Sequence, residues 1–275
     1  MLRVSVFSPG WIPGSAGVYV LHRLAKILSE MKDISLRCFH YTYDYAPTPK
    51  EFSVLGWEHV NIEKCLSLSG IVILPETFPM YVPSVFSPDV SIMRWVLNVP
   101  GKLGGHTKYM KNERVYYYND HLAESAKVAS HDGKAYRFKL GTIGKEIKDY
   151  MATDKLKCVD IYYQGKGSLD ISVKRSTDDL PLLGITRYWP PVRSQLYDLL
   201  NRCRTFYSFD DYSALMTEAF LCGAKVLVSS DGGVHWREFE ANAEMLEQVE
   251  DEVRDRERVR AMVDEMREYH DNRGI

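Results

Sequence analysis

Hydrophobic positions along the chain change period several times, and each change predicts an element. The opening run Val4–Pro9 is continuous and apolar and ends in turn residues, the signature of a buried strand. A loop containing Gly10, Gly14 and Gly17 follows. Apolar residues then recur at Val20, Leu21, Leu24, Ile27, Leu28 and Met31, a helical spacing that predicts an amphipathic helix over Val18–Met31. Ser35–Tyr41 reads as the next strand. Strand, glycine loop, helix and strand in succession open a parallel α/β unit. Gly70–Pro75 is apolar and β-branched, as in a central parallel strand. Ser91–Val99 is read as a helix that stops before Pro100-Gly101, and Arg114–Asn119 and Lys134–Leu140 as strands.

A polar, lysine-rich stretch then predicts an interdomain connection near residues 145–157. A second α/β series starts beyond it. Cys158–Gly167 reads as a strand and glycine turn, and Pro181–Arg187 as a strand running into a loop. Val192–Cys203 has helical spacing, Arg204–Phe209 is a strand, and Ser213–Gly223 is a helix ended by glycine. Ala224–Gly233 is a strand and turn. Val259, Met262, Val263, Met266 and Tyr269 then mark one face of a terminal helix. The pattern predicts an α/β protein of two Rossmann-like domains with parallel sheets, facing each other across a cleft. The expected bounds are residues 1–150, residues 151–250, and a helix over 251–275 crossing back to the first domain.

Composition narrows the function classes. At 275 residues with 45% hydrophobic and 26% charged residues, the chain has the balance of a globular protein rather than a disordered or fibrous one. Lys+Arg at 35 and Asp+Glu at 37 give a net charge of −2, which disfavours a general nucleic-acid binder. Residues 237–275 hold 13 acidic and 7 basic residues, so an acidic helical tail follows a mildly basic body. Five scattered cysteines without a C-x-x-C pair suggest neither a disulfide framework nor a zinc ribbon, and fit a reducing, cytoplasmic location. The first apolar run is too short for a signal peptide, and no stretch approaches a membrane span.

The stretch from Phe206 to Gly233 carries the densest chemistry. Asp210 follows a strand, and Glu218 lies seven intervening residues later, one turn into a helix. The helix start at Tyr212, Ser213 and Ala214 offers unpaired backbone N–H groups that attract phosphate. A carboxylate one turn in suits the vicinal hydroxyls of a ribose. The same spacing also fits an N-cap at Asp210 or Asp211 with an exposed Glu218. Lys166, between Gly165 and Gly167, presents a point charge where backbone approaches closely, although no Walker A spacing surrounds it and a solvent-exposed turn lysine would look the same.

Other candidates are less tightly patterned. Glu76 directly follows a strand and fits an acceptor contact, a base, or a cap of the next segment. Arg94 and Asn98 fall on one face of the helix expected at Ser91–Val99, as structural hydrogen-bonding groups. Arg187 and Arg193 flank Trp189-Pro190-Pro191; either suits neutralisation of a diphosphate, and Arg193 fits equally a pair on its own helix surface. His121, in the sequence YNDH, is either an acceptor-side group or a structural histidine.

Asp210, Glu218, Ala219, Gly223 and the run Val226–Ser229 resemble the nucleotide-sugar signature of GT-B glycosyltransferases. With Glu76, RWVLNVPG and Ile185–Leu196 the resemblance extends to compact GT4-like enzymes that build glycans in bacteria and viruses. The usual first carboxylate is Glu; here it is Asp210, followed by Asp211-Tyr212-Ser213 in place of a glycine-rich stretch. The resemblance implies that Glu218 holds the ribose, that Lys166 lies at the donor diphosphate, and that the loop with Gly14 and Gly17 approaches donor phosphate or acceptor. It implies a nucleoside diphosphate sugar, based on UDP, GDP or dTDP, as donor. A glycan or lipid-linked hydroxyl is the implied acceptor, with peripheral membrane contact at such a lipid. D-x7-E most resembles retaining members, whereas Glu76 would suit an inverting route. No D-x-D, H-E-x-x-H or G-x-S-x-G occurs, so a metal-free, cofactor-free transfer fits. Alternatives on the same architecture are a non-catalytic nucleotide-sugar or glycan-binding module, a UDP-sugar epimerase and a nucleic-acid-modifying transferase.

Overall fold

The computed structural model describes residues 1–79, 86–151, 155–165, 182–210, 212–231, 233–240 and 242–273. The chain divides into two compact units. The first comprises Met1–Trp11, Gly17–Leu140 and Glu252–Ile275; the second comprises Ile12–Ala16 and Gly141–Asp251.

The first unit is built on strands β1 (Leu2–Ser8), β2 (Ile34–His40), β3 (Glu58–His59), β4 (Gly70–Pro75), β5 (Val90–Val96), β6 (Glu113–Tyr117) and β7 (Tyr136–Arg137). Among the described residues these form a sheet of order β3-β2-β1-β4-β5-β6-β7, with every neighbouring pair parallel. Helix α1 (Ala16–Ser29) follows β1, and the short helices α2 (Lys50–Ser53) and α3 (Ile62–Leu66) lie between β2 and β4. Helix α4 (Ala123–Ala129) joins β6 to β7. The order reverses at β1: β2 and β3 grow to one side, β4 to the other. The crevice at the carboxyl ends of β1 and β4 is therefore the unit's topological switch point.

Ser91–Val99 is not a helix. Val90–Val96 is β5, and all seven of its residues are buried between β4 and β6. A central parallel strand is covered on both faces, so it has no polar side to give it period two, and its apolar run imitates a helix. Arg94 is carried in this strand at no exposure because Glu113 pairs with its Nε at 2.6 Å and Pro75 O accepts from Nη1 at 2.8 Å. The strand expected at Lys134–Leu140 is reduced to Tyr136–Arg137.

The second unit contains β8 (Val159–Tyr163), β9 (Leu182–Ile185), β10 (Cys203–Ser208), β11 (Lys225–Val228) and the antiparallel edge strand β12 (Arg237–Glu238), in the order β12-β11-β10-β8-β9. Helix α5 (Arg193–Asn201) precedes β10, α6 (Ala214–Leu221) connects β10 to β11, and α7 (Ala243–Leu246) follows β12. Strand β9 lies on one side of β8 and β10 on the other, so the switch point of this sheet falls between the carboxyl ends of β8 and β10.

Helix α8 (Glu252–Asp271) returns to the first unit. Val259, Met262, Val263 and Met266 are buried in the same core as β1, β4 and β5 residues. Arg23 of α1 reaches Asp255 at 2.8 Å, both side chains being buried. The chain leaves the first unit at Leu140/Gly141 and re-enters it at Glu252, so the residues of the lysine-rich stretch belong to the second unit. Among the described residues no helix is long and apolar enough to cross a membrane.

Candidate functional site

At the second switch point, β10 delivers its chain end to the start of α6. Ser208 Oγ donates to Asp210 O at 2.7 Å and accepts from Asp210 N at 3.2 Å, which closes the turn. Asp210 Oδ1 then accepts from Tyr212 N at 3.1 Å, and Ser213 caps α6 by accepting from Leu215 N at 3.3 Å. Ser213 is thus the cap, and Asp210 orders the turn before it. Asp210 is buried, and its Oδ2 has no hydrogen-bond partner among the described residues. A buried carboxylate oxygen without a donor is costly unless something supplies one.

Strand β8 ends against the same carboxylate. Gly165 has φ +82°, and a Cβ there would collide with Asp210 Cβ and lie 3.0 Å from Oδ2. The Tyr163 phenol is buried facing Asp210, Arg187 and Ser213. Burial and the Asp210 charge push this phenol above its ordinary range. Lys166 lies outside the described residues.

The loop that leaves β1 supplies the next element. Gly14 N donates to Arg187 O at 2.8 Å, and a Cβ on Gly14 would fall 2.8 Å from that oxygen, so the glycine permits the contact. Arg187 Nη2 donates to Ser15 Oγ at 3.3 Å. Ile12–Ala16 is in this way fastened to Arg187 and counts with the second unit. Gly17 is in the first turn of α1, where a Cβ would make ordinary contact with Leu97.

Glu218 and Arg193 meet deeper in the same unit. Arg193 Nη2 lies 3.5 Å from Glu218 Oε1, and Tyr197 donates its hydroxyl to the same oxygen at 3.3 Å. Arg193 also donates to Thr142 O at 3.3 Å. Glu218 is 1% exposed; burial raises its carboxyl pKa, and Arg193 and Tyr197 pull it back. Arg193 is therefore committed to protein groups, while Arg187, like Asp210, acts on the Tyr163 phenol. Tyr163 and Tyr197 escaped the sequence reading. Tyr197 had a signal, its i, i+4 spacing from Arg193 on α5.

The remaining candidates belong to the first unit. Glu76 follows β4 at its switch point, 3% exposed, and its Oε2 accepts from Leu97 N at 2.9 Å. The carboxylate ties the end of β4 to the end of β5. Asn98 turns its own Oδ1 onto Val99 N at 2.8 Å. His121 is exposed in a 3-10 turn, Asp120–Leu122, after β6. Among the described residues no group of three His, Cys, Asp or Glu side chains is placed to hold a metal ion.

Neither a protein-family model nor a curated protein sequence matches the chain. Among solved structures it is similar to WaaG, a glycosyltransferase involved in lipopolysaccharide biosynthesis. The TM-score is 0.52 at 10% identity, over 98% of this chain and 95% of that one. The chain has the GT-B fold. With two Rossmann-like units in this fold, the second switch point, where Asp210, Tyr163, Arg187 and the start of α6 converge, is the strongest candidate site.

Proposed function

We propose that the protein is a GT4-like glycosyltransferase. It moves a sugar from a nucleoside diphosphate sugar to a hydroxyl of a glycan or lipid-linked acceptor without a metal. The observation that carries this reading is the convergence at the second switch point. The start of α6 offers backbone N–H groups to an anion. Arg187, held by Ser15, offers a fixed positive charge, and Asp210 keeps one buried oxygen for a donor. In the proposed arrangement the diphosphate lies at Ser213 and Arg187, and Asp210 Oδ2 accepts a hydroxyl of the donor sugar. The bond from the anomeric carbon to the diphosphate breaks, the electron pair leaves on phosphate, and the acceptor oxygen bonds to that carbon. Arg187 and the helix terminus stabilise the leaving charge. For a retaining course, the acceptor proton passes to a donor phosphate oxygen. A ribose hydroxyl reaches Glu218 by replacing the Tyr197 hydroxyl.

Calorimetric titration with UDP and GDP in the presence of a chelator tests the site. One of them should bind saturably, and Arg187→Ala and Asp210→Asn should each weaken binding of the matching nucleotide sugar about tenfold, the loss of about 1.4 kcal/mol. Absence of nucleotide binding, or wild-type affinity for the nucleotide sugar in both variants, overturns the reading. A panel of nucleotide sugars with and without acceptor separates transfer from epimerisation and from binding alone.

A further inference from the structure

A cavity lies in the first unit, at the opposite edge of its sheet from Glu76. Strand β6 begins at Glu113, and the residues just before it, together with the connection from α4 to β7, occupy the amino-terminal edge. At about 3.3 Å per residue, the five residues of β6 separate the two edges by roughly 17 Å. The cavity has a volume of about 910 Å³, within the range of small-molecule sites.

Its lining has two components. Tyr136 and Tyr269 provide aromatic surface. Arg114 props both rings, its guanidinium 3.9 Å from the Tyr136 centroid and 5.4 Å from that of Tyr269. Arg114 is itself held by Glu265, with Nε to Oε1 at 3.1 Å, so the aromatic floor is fixed before any ligand arrives. The second component is charge. Glu113 is neutralised by Arg94, and Arg114 by Glu265. Arg273 donates to neutral acceptors, Val90 O at 2.7 Å and Pro88 O at 3.0 Å, and among the described residues no carboxylate pairs with it. Lys111 and Lys134 are exposed and form no ion pair with the described residues. The opposing carboxylate is Asp132, whose Oδ1 already accepts from Ser130 Oγ at 2.8 Å and Lys134 N at 3.0 Å. A rigid ring surface under a surplus of cations suits a ligand with an apolar face and a negative group.

We propose that this cavity binds an anionic sugar, one carrying a carboxylate or a phosphate. The C–H face of the pyranose packs on Tyr136 and Tyr269, and the anion lies between Lys111, Lys134 and Arg273. The site is built from residues of the first unit alone and is not required for glycosyl transfer.

The test is titration of the full chain with trigalacturonate and with glucose 6-phosphate, against neutral maltotriose. At least one anionic sugar should bind saturably while maltotriose does not, and the arm that binds identifies carboxylate or phosphate. The Lys111→Glu/Lys134→Glu double variant changes two exposed side chains and should weaken binding at least tenfold with no change in urea midpoint. Raising salt from about 0.01 M to about 1 M, which shortens the Debye length from roughly 30 to roughly 3 Å, should weaken it as well. Tyr136→Ala should weaken it without altering the salt dependence. Nucleotide binding should be the same in all variants. Equal binding of anionic sugar by the double variant, binding of maltotriose equal to that of the anionic sugars, or no binding of any of them overturns the proposal.

Discussion

Replacing Gly165 by alanine probes the contact on which the candidate site rests. Two costs combine there. The residue has φ +82°, and an L side chain in the left-handed region costs about 1–2 kcal/mol. The new methyl would also press on Asp210, 3.0 Å from both Cγ and Oδ2. Overpacking of this kind costs about 1–3 kcal/mol. Gly223, in the same unit, separates the two. Its φ is +79°, but a Cβ there meets only the flexible Lys157 side chain, at 3.4 Å and beyond. Both substitutions restrict the unfolded chain equally, so that contribution cancels in the comparison. Gly165→Ala should therefore be about 1–3 kcal/mol more destabilising than Gly223→Ala in urea denaturation followed by circular dichroism. The methyl displaces Asp210, so Gly165→Ala should also weaken binding of the nucleotide sugar, whereas Gly223→Ala should not. Equal stability losses in the two variants, with nucleotide-sugar affinity unchanged in both, would refute the packing of Gly165 on Asp210.

Three further outcomes follow from buried groups in the first unit. His22 Nδ1 lies 2.9 Å from Val18 O and Nε2 lies 3.0 Å from His40 Nε2, and burial lowers the His22 pKa from 6.5 to about 3. Between those values the unfolded chain binds the extra proton, so stability should fall as pH drops below about 6.5, by up to about 1.4 kcal/mol per pH unit; urea midpoints of wild type and His22→Gln across this window check it, the variant showing the shallower slope. Arg94→Met leaves Glu113 buried without its partner and should cost about 3–5 kcal/mol, while Arg94→Met/Glu113→Leu should recover most of the loss in the same assay. Met266→Ala, at a position of no exposure on α8, should cost about 2–5 kcal/mol, whereas Asp33→Asn at the exposed end of the Arg260 and Arg267 pairs should leave the midpoint nearly unchanged.

Much of the sheet architecture was legible because its strands are short apolar runs set off by turn residues. Gly70–Pro75 and Val159–Tyr163 are of this kind. The misreading of Val90–Val96 came from the same physics, since complete burial removes the alternation that distinguishes a strand. Partnerships were far less visible. Arg193 and Glu218 are 25 residues apart, and nothing in the local pattern shows that one neutralises the other. The attachment of Gly14 to Arg187 spans a still longer separation and depends on a missing Cβ, which the sequence displays as one more loop glycine.

The two switch points also differ in what their carboxylates have left to give. Glu76 and Asp210 both follow strands at the crevice of a parallel sheet, and from sequence either suits the chemistry. In the folded chain Glu76 is engaged by Leu97 N and fastens β4 to β5. Asp210 uses Oδ1 to order the turn into α6 and retains Oδ2, buried and without a partner among the described residues, against Gly165. A buried acceptor without a donor is tolerated where a ligand supplies the donor. Arg187 and Ser213 face the same Tyr163 phenol that Asp210 faces, while the Arg193 charge is spent on Glu218 and Thr142. Asp210 and Arg187, rather than Glu76 and Arg193, are therefore the pair on which substitution should separate binding of the donor from stability of the fold.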